Sequence, residues 1–278
     1  MIGFGWRWMF VTMGVVGVAV AAAWLLMYRD SSEARFTDEE RHYLIEGEEA
    51  RTDTPIVLAE WLALFRFRTT WGLMIGFFGI VYMGWLYLAW LPGYLEIQRH
   101  MSIPKTGIVA TVPFAFGVVG SIGGGWIADW LMRRGFSPVN SRKTPVIIGL
   151  LGMVAFTVVA AETSSDTLAV AAISAALMFG ATASGMSWAL ASVAAPANCT
   201  ASLGTIQNFG GYLGGALAPT VTGFIVQATG TFVPALLVGA VIALASALAY
   251  LVVIPNRPIR SAELGVAAAS ARPSGASM

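Results

Sequence analysis

Seven apolar segments, at roughly 8–28, 71–95, 104–130, 144–161, 167–193, 202–228 and 232–254, contain almost no ionisable side chain. A bilayer core about 30 Å thick needs ~20 apolar residues at a rise of ~1.5 Å, so most of these segments can span it as helices. Inside lipid every backbone N–H and C=O must be paired within the protein, which leaves an open sheet no way to cross. The expected fold class is all-α: a polytopic membrane protein with seven transmembrane helices. Composition supports this, because the 278 residues are 57% hydrophobic and only 11% charged, against about 25% charged in soluble domains.

The basic residues divide unevenly between the two ends of the spans. The loop at 29–69 carries Arg29, Arg35, Arg41, Arg51, Arg66 and Arg68; the turn at 131–143 carries Arg133, Arg134, Arg142 and Lys143; the tail carries Arg257, Arg260 and Arg272. Seven spans put all three regions on one side and leave Arg7, Arg99 and Lys105 on the other. The positive-inside bias makes the first side cytoplasmic, with the N-terminus outside and the C-terminus inside. The first apolar run is longer than a signal-peptide core, and Tyr28-Arg29-Asp30 is a poor cleavage context, so it is expected to be a retained helix. The single cysteine, Cys199, excludes an internal disulfide framework. The sequon at Asn198-Cys199-Thr200 falls on the cytoplasmic side, where it would meet no glycosylating enzyme.

One connection is long. In 29–69, Thr37 with Glu40 three residues on forms a capping box, which predicts a surface helix to about Glu49. After Pro55, the spacing of Ile56, Leu58, Trp61, Leu62, Leu64 and Phe65 ahead of Arg66 and Arg68 predicts a helix lying at the membrane surface. The six later spans form two triplets whose middle members, 104–130 and 202–228, are rich in Gly and contain Pro113 and Pro219. Matched Gly/Pro-interrupted helices are the mark of inverted repeats in secondary transporters. Gly117, Ser121 and Gly125, and likewise Gly211 and Gly215, place small residues on one helix face, which predicts close helix packing.

Inside the spans the polar groups are neutral. Glu96, Arg99, His100, Glu162, Asp166 and Asp129 all lie at span ends. The last span has no lysine to hold a retinal, and His42 and His100 fall on opposite sides, so no metal or other cofactor is expected. Hydrolase, metalloprotease and P-loop motifs are missing too, and an enzyme is not expected. Nothing points to a nucleic-acid partner. What remains is Asn208 beside Gln207, Ser187 beside Trp188 with Ser184 a turn earlier, and Tyr82 with Trp85. Amide, hydroxyl and indole groups can hydrogen-bond a hydroxylated solute while a ring covers its apolar side. For Asn208 and Ser187 the competing reading is hydrogen bonding between or within helices. Trp90, Trp126 and Trp130 read as interface anchors.

The segment Gly125-Trp126-Ile127-Ala128-Asp129 followed by Arg133-Arg134-Gly135 resembles the inner-loop signature of the major facilitator superfamily in its second-half copy. Leu88-Ala89-Trp90-Leu91-Pro92-Gly93-Tyr94-Leu95, Ser141-Arg142-Lys143-Thr144-Pro145, and the glycine-rich run from Gly204 to Gly215 ahead of Pro219 narrow this to the anion:cation symporter branch. Gly5-Trp6-Arg7-Trp8 and Thr37–Arg41 also fit that branch. The resemblance implies a twelve-helix bundle in two halves. Residues 1–28 would match its sixth helix, 29–69 the cytoplasmic loop between halves, 70–254 the second six-helix half, and 255–278 a cytoplasmic tail. The first five helices, which in this branch hold the carboxylate-binding arginine and the proton-coupling acids, would belong to a missing N-terminal half.

The implied activity is transport of an organic anion, a sugar acid or related carboxylate, by proton symport and alternating access in the inner membrane. The alternative is a truncated, non-transporting fragment or a half-transporter. The family's site tryptophan matches Trp188, its preceding hydroxyl Ser187 and its asparagine Asn208, with Gln207, Tyr82 and Trp85 as further binding candidates. Asp129, Arg133 and Arg134 would act in gating. Two positions depart from the family pattern: Phe77 replaces a glutamine and Gly185 a serine, which favours a less hydroxylated acid.

Overall fold

The computed structural model describes residues 5–28 and 57–264, and its chain divides into two units, Met1–Ala50 and Arg51–Met278. The first unit contains α1 (Gly5–Met27), whose Trp24 stacks on Tyr28 with ring centroids 4.9 Å apart. The Thr37–Glu49 helix expected from the capping box lies outside the described residues.

The second unit begins with α2 (Leu58–Ala63), a turn over Leu64–Arg66, and α3 (Arg68–Gly93), which runs into a π-turn at Tyr94–Gln98. There follow α4 (Ile103–Val109) and α5 (Thr111–Arg133), then α6 (Pro138–Glu162), α7 (Asp166–Ala194), α8 (Thr200–Thr229) and α9 (Val233–Leu248). Seven helical stretches among the described residues are long and apolar enough to cross a bilayer. No described residue is in a strand, and the all-α polytopic fold is as expected.

Local chemistry sets the helix ends. Ser137 accepts a hydrogen bond from the Asn140 amide at 3.3 Å with Pro138 next, a strong start signal. Ser165 does the same for the Leu168 amide, and Gly230, at φ +72°, ends α8 in the left-handed conformation. One boundary differs from the sequence expectation. The span expected at 144–161 starts six residues earlier, so Arg142 and Lys143 are helical rather than in a turn. Lys143 is buried there, its ammonium 2.6 Å from the Ile254 carbonyl, 3.0 Å from Asn256 Oδ1 and 3.2 Å from the Leu251 carbonyl. The cation thus covers the acceptor-rich end of the helix that α9 begins.

Helix α3 is central, packing on α7, α8 and α9. Gly210 and Gly214 of α8 lie against the α3 backbone at Met74 and Phe78, where any Cβ would collide. Gly211 and Gly215 receive the rings of Phe77 and Trp85, so the small-residue face expected on α8 is used for close packing. On α5 the face is shifted. Gly120 and Gly124 meet α7 at Met178, Thr182 and Met186, whereas Gly125 faces open space and Ser121 bonds back to the Gly117 carbonyl. The Thr182 hydroxyl, 2.8 Å from the Gly120 carbonyl, fixes that register.

The interfacial helix expected after Pro55 is shorter and only half turned outward. Leu58 and Leu62 are exposed, but Leu64 is buried with Cys199, Ile206 and Leu264 in a second small core. Thr70 Oγ1 and Trp71 Nε1 hold the Leu64 and Phe65 carbonyls at 2.6 and 2.9 Å, pinning this segment to α3. Trp90, expected as an interface anchor, instead donates to the Pro219 carbonyl at 3.1 Å and packs on Phe232.

Candidate substrate half-site

Two cavities open between the helices that carry the expected site residues. The first, about 360 Å3, lies among α3, α5, α6 and α7, with Trp85, Leu88, Phe114 and Ser184 in its wall. The second, about 260 Å3, lies between α7 and α8, with Trp188, Ser192, Thr200, Thr205 and Asn208. Small-molecule sites usually measure about 300–1,000 Å3, so the first lies at the low end of that range and the second just below it. No charged side chain lines either one. A third cavity, about 480 Å3, sits at the far end of α5 and α7. It is apolar apart from Ser174, Thr167, Lys105 and Asp166, and the last of these lies 3.7 Å from Arg99.

The six expected binding residues separate into two groups. Trp85, Trp188 and Asn208 line open volume. Each indole is seated on glycine: a Cβ at Gly215 would come within 2.6 Å of Trp85, and one at Gly204 within 3.5 Å of Trp188. Phe77 packs edge-on against Trp188 with centroids 5.6 Å apart, so the ring standing where the family has glutamine supports the tryptophan. Ser187, Gln207 and Tyr82 are instead buried in helix contacts. The Ser187 hydroxyl bonds Tyr250 of the π-turn after α9 and lies 3.3 Å from Gln207 Oε1. Tyr82 faces Thr222 on α8 without closing a hydrogen bond. In this conformation the three present no surface to a solute, because each points from its helix into a neighbouring one.

Of the expected gating residues, Asp129 is exposed and forms no ion pair with a described residue. Arg134 lies over the Trp130 ring at 4.7 Å, and Arg133 occupies the last turn of α5, where a cation complements the helix dipole. Sequence reasoning missed Ser192, Thr200 and Thr205 as cavity residues. The signal was present, since Ser192 lies one turn after Trp188 and Thr205 nearly one turn before Asn208. It missed Tyr250 altogether, and an aromatic in an apolar span gives no such signal.

The spans of the second unit thus pack through glycine faces around two cavities without charged walls. The Major Facilitator Superfamily family model matches residues 1–219, and the chain belongs to that family. It is 41% identical over 259 residues to a protein of Escherichia coli named as a probable L-galactonate transporter, covering 93% of this chain and 57% of that one. It is 31% identical over 260 residues to a probable galactarate/D-glucarate transporter of Bacillus subtilis, covering 90% of this chain and 57% of the relative. The chain therefore spans a little over half the length of these relatives. The solved Escherichia coli fucose:proton symporter superposes with a TM-score of 0.59 at 16% identity, over 86% of this chain and 53% of that one. This is a multi-pass membrane protein of a transporter family, not of an enzyme family.

Proposed function

We propose that the six-helix unit forms the second half of the pathway of an organic-anion carrier, with sugar acids as its substrate class. The observation that carries this reading is the uncharged, tryptophan-bearing pair of cavities on α3, α7 and α8. Trp188 and Trp85 would stack on the carbon face of the solute, and Asn208 with Ser192 and Thr205 would take its hydroxyls. Relatives named as galactonate and galactarate/glucarate transporters support the class. The cation for the carboxylate and the acid for proton coupling would come from a first six-helix half, and the two halves would rock about the shared site. Asp129, Arg133 and Arg134 would bias one gate conformation. Ser187, Gln207 and Tyr82 would act through the helices that carry the contacting groups. The basic end of the bundle would face the cytoplasm across the inner membrane, with the C-terminus on that side.

The test is uptake of radiolabelled L-galactonate into vesicles containing the chain joined to the first five helices of its 41%-identical relative. Uptake dissipated by a protonophore and weakened about three- to tenfold by Asn208→Ala is expected, the loss matching one hydrogen bond. Trp188→Ala should lose at least as much. Uptake unchanged in both variants would reject the assigned site. No uptake of any aldonate or aldarate would reject the substrate class and favour a non-transporting fragment.

A further inference from the structure

At the basic end of the bundle a cleft of about 220 Å3 separates the start of α3 from the segment after α9. Its polar walls are Arg66, Arg68, Thr69, Arg257 and Glu263. Three guanidinium groups face one carboxylate, which leaves a clear excess of positive charge. Arg257 binds Glu263 at 2.6 Å, and Arg68 uses one N–H on the Val252 carbonyl at 3.2 Å. Arg66 is exposed and forms no hydrogen bond or ion pair within the described residues. Most of the N–H donors of Arg66 and Arg68 are therefore unused.

Thr69 adds an independent observation. It is only 3% exposed, yet it lines the cleft and its hydroxyl has no partner within the described residues. The oxygen is not among the fully enclosed unpaired ones, so what exposure Thr69 has includes its hydroxyl, which can donate to an acceptor in the cleft. The first amides of the 26-residue α3 also open here, because its N-cap, Phe67, supplies no side-chain acceptor.

The cleft's depth narrows the ligand. Arg66 ends the segment whose Leu58 and Leu62 are exposed and apolar, and Trp71, 44% exposed, bonds the Phe65 carbonyl beside it. Exposed leucines, an interfacial tryptophan and arginine in one short stretch mark the level where acyl chains give way to headgroups. Guanidinium forks suit carboxylate and phosphate alike, and the anion that the lipid itself holds at that level is the headgroup phosphodiester. We propose that this cleft binds the phosphate of an anionic glycerophospholipid headgroup. Bound phosphate competes with Glu263 for Arg257, so lipid binding loosens the ion pair within the segment after α9. The proposal is independent of the transported substrate, since neither transport cavity contributes to the cleft.

The test uses the full chain in nanodiscs of phosphatidylcholine alone or with phosphatidylglycerol added, with lipid retained on extraction read by native mass spectrometry. Selective retention of phosphatidylglycerol is expected. Arg66→Gln, which removes no hydrogen bond or ion pair within the described residues, should weaken it about fivefold, and Thr69→Val about three- to tenfold. Inorganic phosphate added at millimolar concentration should not displace the lipid. Equal retention of phosphatidylcholine, or parent-like retention by both variants, would overturn the proposal. Displacement by inorganic phosphate would overturn it too, because the cleft would then be a site for free phosphate.

Discussion

Ser187 and Trp188 are adjacent in the chain and have opposite environments, because consecutive helical residues point about 100° apart. Trp188 stands in a cavity; Ser187 is fully buried against Tyr250 and Gln207. The family resemblance picked out both residues but not the difference between them, which depends on where α8 and the end of α9 lie. Removing Ser187 as Ser187→Ala leaves the Tyr250 hydroxyl and the Gln207 carbonyl without this partner in a buried site. A loss of about 1–3 kcal/mol in folding stability is expected, read by denaturant unfolding in detergent. Trp188→Ala, at a half-exposed ring, should cost less stability and, on the proposed function, weaken uptake by the joined chain at least about three- to tenfold. If Ser187→Ala left stability unchanged and Trp188→Ala unfolded the chain, the two roles would be exchanged.

At the scale of elements, apolar length was enough to reveal every span, and a start signal with an unexpected cation was not. Lys143 broke the apolar pattern and moved the expected start of α6, although the carbonyls at the end of the last span satisfy it completely. Arg99 plays the matching part at the other end of α6. It donates to the Thr163 carbonyl at 2.7 Å and to the Tyr94 hydroxyl at 2.8 Å. Arg99→Ala should lower stability by about 1.5–3 kcal/mol, the range for hydrogen bonds to a charged group. The glycine faces give a sharper contrast. Gly214→Ala drives a methyl group into the Phe78 carbonyl, and a cost of about 1–3 kcal/mol is expected. Gly123→Ala meets nothing within 4 Å and should be neutral. The same heated gel-filtration assay would separate the two. Sequence showed that small residues line α5, but i+3 and i+4 registers look alike until Thr182 selects one.

For the whole molecule, the fold class and the family were legible because bilayer spans and glycine-rich helices leave strong one-dimensional patterns. The open faces were not, since an apolar surface that meets lipid and one that meets protein have the same composition. The assembly also has a built-in gauge. Cys199 is the sole cysteine, buried with Leu64, Ile206 and Leu264 where three separate stretches of chain converge. Burial, reinforced by Glu60, pushes its thiol above the ordinary value of 9.0. The folded state therefore prefers the protonated form. Stability from this group is full below pH 9.0 and declines as pH rises through the folded value. A maleimide should label intact protein slowly at neutral pH and rapidly in denaturant. Labelling that is equally fast in both conditions would show that the thiol is not enclosed. With a sealed thiol, one chemical tag, with no engineered probe, would report how often that three-way junction comes apart and whether a bound lipid or solute holds it shut.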